Sequence, residues 1–198
     1  HDDGSQLKNT VMTIAENYPP EVVLCNMNLL GTHDTPRILT ALVDDFDGSR
    51  EQLAQRRLTR EQYALAQERL FLASVLQYTL PGSPSLYYGD EAGMEGHKDP
   101  FNRRTYPWGQ ENPIMLDHFR QLGQLRREQD ALRLGDIRFF CAEGQKVGFA
   151  RSYHGKTLHI YLNRSSENWE IPAGTVLLGH NLQYHQLAPM GFCILEDA

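Results

Sequence analysis

The hydrophobic periodicity of this 198-residue chain changes near residue 130, and that change limits its fold more than any other feature. Upstream, apolar residues recur at helical spacing in three segments that alternate with two short apolar runs. Downstream they alternate, as in Leu158, Ile160 and Leu162, which is typical of strands with one buried face. The order indicates an α/β part followed by an all-β part. We therefore predict two domains, residues 1–130 and 131–198.

Three helices are predicted in the upstream part. Pro19 and Pro20 stop the first of them, and Thr59 with Gln62 forms a possible capping box at the start of the second. The polar segment 44–57 between them reads as a solvated loop or a frayed helix start. The predicted helices are Ser5–Tyr18, Thr59–Tyr78 and Leu116–Gln129.

Two apolar runs between the helices, Val22–Leu30 and Ser85–Tyr88, are predicted to be strands. The first is apolar on both faces, which is typical of a parallel strand that is covered on both sides. Downstream, His154 and Gly155 predict a hairpin turn, and further short strands are expected near residues 170–171, 176–178 and 192–195. We predict that these strands form an antiparallel β-sandwich.

Charge and composition exclude several classes of partner. With 19 Lys and Arg against 25 Asp and Glu, the net charge is −6, so neither nucleic acid nor a membrane surface is an expected partner. No apolar stretch of about 18 residues indicates a membrane span. The cysteines, Cys25, Cys141 and Cys193, are odd in number and widely spaced, and each is predicted to be a small buried hydrophobe. They favour a reducing compartment, and we predict a cytoplasmic location.

Polar clusters follow both predicted strands directly. In a parallel α/β sheet the loops after the carboxyl ends of strands meet at one face, so the two clusters should lie together. This would form a rim suited to a polyol or a sugar. The rim is predicted to carry His33, Asp34, Asp90, Glu91, Asp99 and Arg103.

The residues alone leave several interpretations of this rim open. Glycoside cleavage needs two carboxylates, and Asp34 with Glu91 would be the simplest pair. A metal site with His33 and Asp34 is a second interpretation, but the spacings match no known ligand pattern, so we predict no metal. Alternatively, the first cluster caps a helix and the second is a solvated turn. Because both clusters follow consecutive strands, a functional site is favoured.

Two motifs resemble those of a known enzyme family. The segment Asn28–Arg37, with its His-Asp pair, resembles the strand-seven motif of the α-amylase superfamily. The segment Gly82–Glu91, with Tyr-Gly-Asp-Glu at its end, resembles the strand-eight motif, and 99–108 is similar to the neopullulanase, cyclomaltodextrinase and maltogenic amylase branch. Thr32 also fits that branch, which usually has Ser there. The resemblance covers about residues 5–130, with the β module similar to the family's C-terminal domain.

The resemblance implies a role for four residues of the rim. Asp34 matches the third catalytic carboxylate, which stabilises the transition state, and His33 matches a neighbouring hydrogen-bond donor to the same sugar. Asp99 and Arg103 match an Asp and an Arg that hold the next sugar. Arg37, Tyr88 and Glu91 also match motif positions, where we expect structural roles.

The resemblance also implies a larger protein. It predicts the last two strands of a (β/α)8 barrel with their helices, followed by the β-sandwich. The nucleophile and the general acid have no counterpart here, so we expect an inactive C-terminal fragment of a retaining hydrolase that acts on α-glucan oligosaccharides. An inactive amylase-like carbohydrate-binding or scaffold protein is the alternative. No cofactor is expected in this fragment, and calcium elsewhere in the parent stays open. Two open barrel strands predict self-association.

Overall fold

The computed structural model describes residues 3–197, which form two compact units. The sheet unit comprises residues 3–28, 78–83 and 123–197, and the loop unit comprises residues 29–77 and 84–122. The first helix thus groups with the C-terminal strands. The domain boundary between residues 130 and 131 stays a prediction, and the outer bounds of the two predicted domains, residues 1 and 198, lie outside the described residues.

Helices and strands follow the order that the periodicity indicates. The helices of the described chain are α1 Gly4–Asn17, α2 Pro20–Cys25, α3 Ile38–Ala41, α4 Arg50–Gln55, α5 Arg60–Thr79, α6 Pro113–Glu128 and α7 Asp130–Leu134, with a 3-10 turn at Phe101–Arg103. The strands are β1 Met27–Leu29, β2 Ser83–Ser85, β3 Asp136–Glu143, β4 Lys146–Tyr153, β5 Lys156–Asn163, β6 Trp169–Glu170, β7 Thr175–Gln183 and β8 Gln186–Glu196. The short pair β1 and β2 forms a sheet of its own.

The three predicted helices are present as α1, α5 and α6, and their ends follow the expected chemistry. The Thr59 hydroxyl accepts a hydrogen bond from the Gln62 backbone N–H at 3.2 Å, and the Gln62 side chain accepts one from the Thr59 N–H at 3.0 Å. This reciprocal pair is the predicted capping box, and it satisfies two backbone donors that the first turn of a helix leaves open.

The predicted strand Val22–Leu30 is wrong over most of its length. Residues Pro20–Cys25 are helix α2, and only Met27–Leu29 are strand. Proline is well tolerated at the first position of a helix because its missing N–H is not needed there, so the proline pair begins a second helix instead of only ending the first. The run is also not covered on both sides, since Met27 and Leu29 are 62% and 49% exposed.

The second short strand also lies earlier than predicted. It covers Ser83–Ser85 instead of Ser85–Tyr88, so the two tyrosines at 87 and 88 belong to the loop that follows. Segment 44–57, predicted as a loop or a frayed helix start, contains the short helix α4, which Ser49 and Gln52 cap reciprocally. The short helix α7 was not predicted. The assignment of β1 and β2 to a barrel stays a prediction.

The sheet unit is built on one curled antiparallel sheet of six strands. The strands β3, β4, β5 and β8 are neighbours in that order. Strand β5 pairs with residues 191–196 of β8, and β6 pairs with residues 186–187. Strand β7 pairs with both of these stretches of β8. Register shifts interrupt the pairing of β3 with β4 once and the pairing of β7 with β8 twice, and such irregularities bend and twist a sheet locally. A second layer of strands, which a sandwich requires, stays a prediction.

The core of this unit lies on both faces of the central strand β5. Leu158 and Ile160 are fully buried on one face of β5, and α7 packs against β4 and β5. Tyr161 belongs to a cluster on the other face with Ile171, Leu187, Cys193 and Leu195. The predicted hairpin is confirmed, because His154 and Gly155 join β4 to β5 with positive φ at both residues, as a two-residue hairpin turn requires.

One charged side chain is buried within this core. Arg151 is 0% exposed, and its guanidinium donates hydrogen bonds to the carbonyls of Gly135 at 2.8 Å, of Asp136 at 3.3 Å and of Thr79. Burial lowers the pKa of Arg151 to about 9, so the group stays charged at neutral pH. Its carbonyl partners therefore stabilise the charge, and no carboxylate of residues 3–197 forms a salt bridge with it.

The three cysteines differ in burial, which the sequence did not predict. Cys193 is buried as expected, and burial raises the pKa of its thiol to about 12. Cys141 is partly buried, whereas Cys25, at the end of α2, is exposed. All three are free thiols, and the prediction of burial is wrong for Cys25 because the helix that carries it is not covered on both sides.

Candidate functional site

The first polar cluster, residues 31–37, forms a tight loop after β1. Its start is closely packed, because a Cβ atom on Gly31 would overlap the Asp90 carboxylate. The Asp34 N–H donates a hydrogen bond to the Thr32 hydroxyl at 3.2 Å, and the Thr32 N–H donates one to the Thr35 hydroxyl at the same distance. These local bonds form a small turn that leaves the side chains of His33 and Asp34 exposed.

Residues 98–104 of the second polar cluster form hydrogen bonds to backbone carbonyls of this turn. Asn102, in the 3-10 turn, is fully buried, and its side-chain amide donates hydrogen bonds to the carbonyls of His33 at 2.8 Å and Thr35 at 2.7 Å. Arg103 donates from Nε to the His33 carbonyl at 3.0 Å. Two residues of the second loop thus fix the backbone on which His33 and Asp34 stand.

The four residues predicted for a sugar site lie together. Arg103 Nη2 is 3.6 Å from one oxygen of Asp34, and Arg103 Nε is 3.0 Å from the Asp99 carboxylate. His33 Nε2 is 3.1 Å from the other oxygen of Asp34. We call these four residues, His33, Asp34, Asp99 and Arg103, the exposed cluster, since each side chain is at least 45% exposed.

The exposed cluster offers both acceptors and donors to a ligand. Carboxylate oxygens accept hydrogen bonds from hydroxyls, whereas a guanidinium and an imidazole N–H donate them. Pairs of exposed charges contribute little to stability because water competes with them, so their partners can be exchanged for a ligand at small cost. The arrangement can therefore hold a polyhydroxylated ring and stabilise positive charge that develops on it.

Asp90 and Glu91 do not share this exposed position, and that part of the predicted rim is wrong. Asp90 is 2% exposed, and its carboxylate lies 3.3 Å from Nη1 of Arg37, which is itself buried. Glu91 accepts a hydrogen bond from the Gly89 N–H at 2.8 Å, within its own turn. These contacts give no support to Asp34 and Glu91 as a catalytic pair.

Comparison with known proteins identifies the family of this chain. The profile of the α-amylase catalytic domain matches residues 2–154. An amylopullulanase of Thermoanaerobacter thermohydrosulfuricus is 42% identical over 150 residues, which are 75% of this chain and 10% of that protein. A cyclomaltodextrinase of Geobacillus thermopakistaniensis is 34% identical over 173 residues, which are 85% of this chain and 26% of that protein.

This chain belongs to the α-amylase family. Its structure is also similar to the crystal structure of a debranching enzyme from Nostoc punctiforme, with a TM-score of 0.78 and 26% identity over 98% of this chain and 40% of that one. The resemblance that the motifs indicated is thereby confirmed. The chain spans only about a tenth to a quarter of the length of the two curated relatives above.

The loop unit of this α-amylase family member also contains the buried pair of Arg37 and Asp90. Arg37 donates through Nη1 to the Tyr88 carbonyl, and its guanidinium lies 4.4 and 4.5 Å from the ring centroids of Tyr87 and Tyr88. Burial raises the pKa of Asp90 to about 7, although the Arg37 charge opposes that rise. We call these two residues the buried pair; their contacts agree with the structural role expected for Arg37.

A second buried network lies in the segment that the sequence suggested to be solvated. Asp44 accepts hydrogen bonds from Arg56 at 2.5 and 3.0 Å, and His97 Nε2 lies 3.6 Å from the same carboxylate. The Arg56 hydrogen bond lowers the pKa of Asp44, and burial lowers that of His97, so that the imidazole is neutral at pH 7. The segment thus contains one buried carboxylate, that of Asp44, which Arg56 and His97 hold in place.

Sequence reasoning missed Asn102 as a positioning residue. It was visible only as one amide in the charged run of residues 98–104, and its role depends on carbonyls nearly seventy positions away. Nothing in the spacing of that run distinguishes a buried amide from a solvated one.

Two absences bear on the chemistry. Among residues 3–197, no group of three or more His, Cys, Asp or Glu side chains is arranged to hold a metal ion. Over the same residues, no helix is long and apolar enough to cross a membrane.

Proposed function

We propose that this chain is the C-terminal part of a retaining α-glucan hydrolase, in which the exposed cluster binds the sugars on either side of the reacting centre. In this proposal β1 and β2 are the last two strands of a (β/α)8 barrel. The observation that carries it is the convergence of His33, Asp34, Asp99 and Arg103 within salt-bridge distance, on loops whose motifs match the family. The relatives' names, amylopullulanase and cyclomaltodextrinase, support a glucan substrate.

Each residue has a distinct part in the proposed mechanism. Asp34 accepts hydrogen bonds from the hydroxyls of the distorted sugar and stabilises the positive charge of the oxocarbenium-like transition state. His33 donates a hydrogen bond to the same sugar. Asp99 and Arg103 hold the adjacent sugar on the non-reducing side, and Arg103 also orients Asp34 through its contact at 3.6 Å.

The chain alone should not complete this reaction. A retaining enzyme needs a nucleophile and a protonated acid about 5–5.5 Å apart on either side of the bond. The two carboxylates of the exposed cluster share one guanidinium and face solvent, so neither occupies the apolar pocket that keeps a general acid protonated. We therefore propose that a longer protein supplies both groups. We also propose a cytoplasmic location, because the three cysteines are free thiols, as is usual in a reducing compartment.

The test compares Asp34→Asn with Asp117→Asn, a change of an exposed helical carboxylate outside the cluster. In the longer enzyme, Asp34→Asn should lower kcat on maltotriose by about two to three orders of magnitude, since charge stabilisation is removed, while Asp117→Asn keeps full activity. The isolated chain should show no turnover. Equal activity of the two variants would contradict the role of Asp34, and turnover by the isolated chain would contradict the missing pair.

Self-association of the isolated chain belongs to the same proposal. Val22, Met27 and Leu29 expose apolar surface on and before β1, and Leu86 and Tyr88 do so after β2. Exposed edges and apolar patches favour association. Gel filtration over a range of concentrations should therefore show dimers or larger species, which Met27→Lys reduces. A wild-type chain that elutes as a monomer at every concentration would contradict this.

A further inference from the structure

A pocket within the loop unit borders the exposed cluster, and Asp99 belongs to both. Its volume is about 370 Å³, which lies in the range of about 300 to 1,000 Å³ that small-molecule sites occupy. Parts of two segments line it, residues 47–53 and residues 98–101. We call it the adjoining pocket.

The adjoining pocket combines balanced charges with apolar surface. Asp47 and Asp99 are acidic, whereas Arg50 and Lys98 are basic, so their charges balance at neutral pH. The carboxylates accept hydrogen bonds and the two cationic side chains donate them. The apolar part of the lining consists of Leu53, Pro100 and Phe101.

This lining favours a neutral ligand that carries many hydroxyl groups. An anion would be attracted by the two basic side chains but repelled by two carboxylates, and a cation would meet the reverse. The hydroxyls of a sugar ring donate and accept hydrogen bonds around its edge, while C–H groups form its two faces. A few polar groups that fix orientation, beside apolar surface that packs on the ligand, are typical of a small-molecule site.

Buried contacts hold the two lining segments together. The Asp44 carboxylate accepts hydrogen bonds from Arg56 at 2.5 and 3.0 Å and from the Phe46 N–H at 3.1 Å, on either side of the first segment. His97, which directly precedes the second segment and is 5% exposed, lies 3.6 Å from the same carboxylate. The walls of the pocket are thus ordered before a ligand binds, which lowers the entropic cost of binding.

One exposed ion pair links the two segments directly. Lys98 Nζ lies 3.0 Å from the Asp47 carboxylate, and 62% and 73% of the two side chains are exposed. Exposed pairs of this kind contribute little to stability because water competes with them. Both groups can therefore exchange their mutual contact for hydrogen bonds to a sugar at small cost.

The position of Asp99 connects this pocket to the sugar site. Asp99 lies 3.0 Å from Arg103 Nε, and it is the member of the exposed cluster that lines the pocket. The pocket therefore borders the cluster at the residues that hold the adjacent sugar in the proposed function, and not at Asp34. We propose that the adjoining pocket binds a third sugar of an α-glucan chain, beyond the two that the exposed cluster holds. This proposal rests on the proposed function for those two sugars.

Maltose and maltotriose test the proposal, because only the trisaccharide can occupy the exposed cluster and the adjoining pocket in full. Dissociation constants of the 198-residue chain are measured by NMR, from the shifts of residues 32–35 and 47–53 during titration. In the wild type, maltotriose should bind about tenfold more tightly than maltose, the effect of about one hydrogen bond to a charged group. Two subsites alone would give a gain of only about twofold, since a trisaccharide can place two adjacent sugars on them in two ways.

The variant Lys98→Met keeps the length of the side chain and removes its donor. It should retain the melting temperature of the wild type, and its gain from maltose to maltotriose should fall to about twofold. Lys156→Met is the matched control, because Lys156 also forms an exposed ion pair, at 2.9 Å from Glu196 in the sheet unit. This control should retain the full gain.

The outcomes separate this proposal from the proposed function. A wild type that binds maltose but gains no more than about twofold with maltotriose would overturn the third subsite and leave the exposed cluster as a sugar site. The third subsite is also overturned if residues 47–53 do not respond to maltotriose, or if Lys98→Met and Lys156→Met show the same gain. A wild type that binds neither sugar would contradict the proposed function and the third subsite together.

Discussion

Two of the aspartate–arginine pairs in the loop unit differ in burial, since one lies in solvent and the other in the interior. Asp34 and Arg103 approach to 3.6 Å with 71% and 45% of their side chains exposed. Asp90 and Arg37 approach to 3.3 Å with 2% and 0% exposed. The chemistry and the distance are nearly the same, and burial makes the difference. An exposed pair stays available to a ligand, whereas a buried pair fixes the backbone around it.

The buried pair joins the two loops that carry the motifs. Arg37 ends the first loop, and Asp90 lies against Gly31 at its start. Removing either charge should therefore disturb both loops, while removing a charge of the exposed cluster should change binding alone.

The largest effect is expected from Arg37→Met, which keeps the volume and removes the charge. Asp90 would then lie buried without a counter-ion, and the loss of one partner of a buried pair costs about 3–5 kcal/mol. We expect a decrease of that size in the free energy of unfolding, measured by urea denaturation at pH 8. Arg103→Met, the same change in the exposed cluster, should have a far smaller effect. Equal losses would contradict the comparison.

Asp90 should make the stability of the chain depend on pH. Burial raises the folded-state pKa of Asp90 to about 7, above the unfolded value of about 3.9, with neighbouring Glu91 adding to the rise. Its contribution to stability is therefore fully present below about pH 4 and is lost as the pH rises to about 7. Asp90→Asn should remove this decrease, so that its stability relative to the wild type increases between pH 4 and pH 8. An unchanged pH profile would contradict the assignment.

Gly31→Ala tests the packing between the two loops. The new methyl group would overlap the Asp90 carboxylate, and such overpacking costs about 1–3 kcal/mol. Gly123→Ala is the matched control, since it lies within α6 and its Cβ would meet only a ring atom of Tyr78 at 4.0 Å. That change should stabilise the chain by about 0.5–1 kcal/mol, because alanine favours a helix. Thermal melting of the two variants should shift in opposite directions.

Features that depend on neighbouring residues could be predicted from the sequence. Features that depend on contacts with distant residues could not. The capping box at Thr59 and the turn at His154 follow from a few adjacent positions, and both are present. Asp90 and Asp34 look alike in sequence, each after a short apolar run, yet one is buried by Arg37 and Gly31, which lie more than fifty positions away. The strand prediction after Pro19 and Pro20 was wrong for a different reason, because a proline pair is compatible with both the end and the start of a helix.

The smallest effect on stability is expected from Asp34→Asn. Exposed ion pairs contribute about 0–1 kcal/mol, and the loop backbone is held by Asn102 instead. The free energy of unfolding should change by less than about 1 kcal/mol. A loss as large as that of Arg37→Met would mean that Asp34 supports the fold and is not kept for a ligand.

The most direct test of the central claim follows the backbone amides of the 198-residue chain by NMR while maltotriose is added. If the exposed cluster binds sugar and the buried pair supports it, resonances of residues 32–35 and 101–104 should shift in the wild type. The same resonances should stay in place in Asp34→Asn, which keeps the fold. Shifts that are equal in the two proteins, or a wild type in which these loops do not respond to the sugar, would contradict the account.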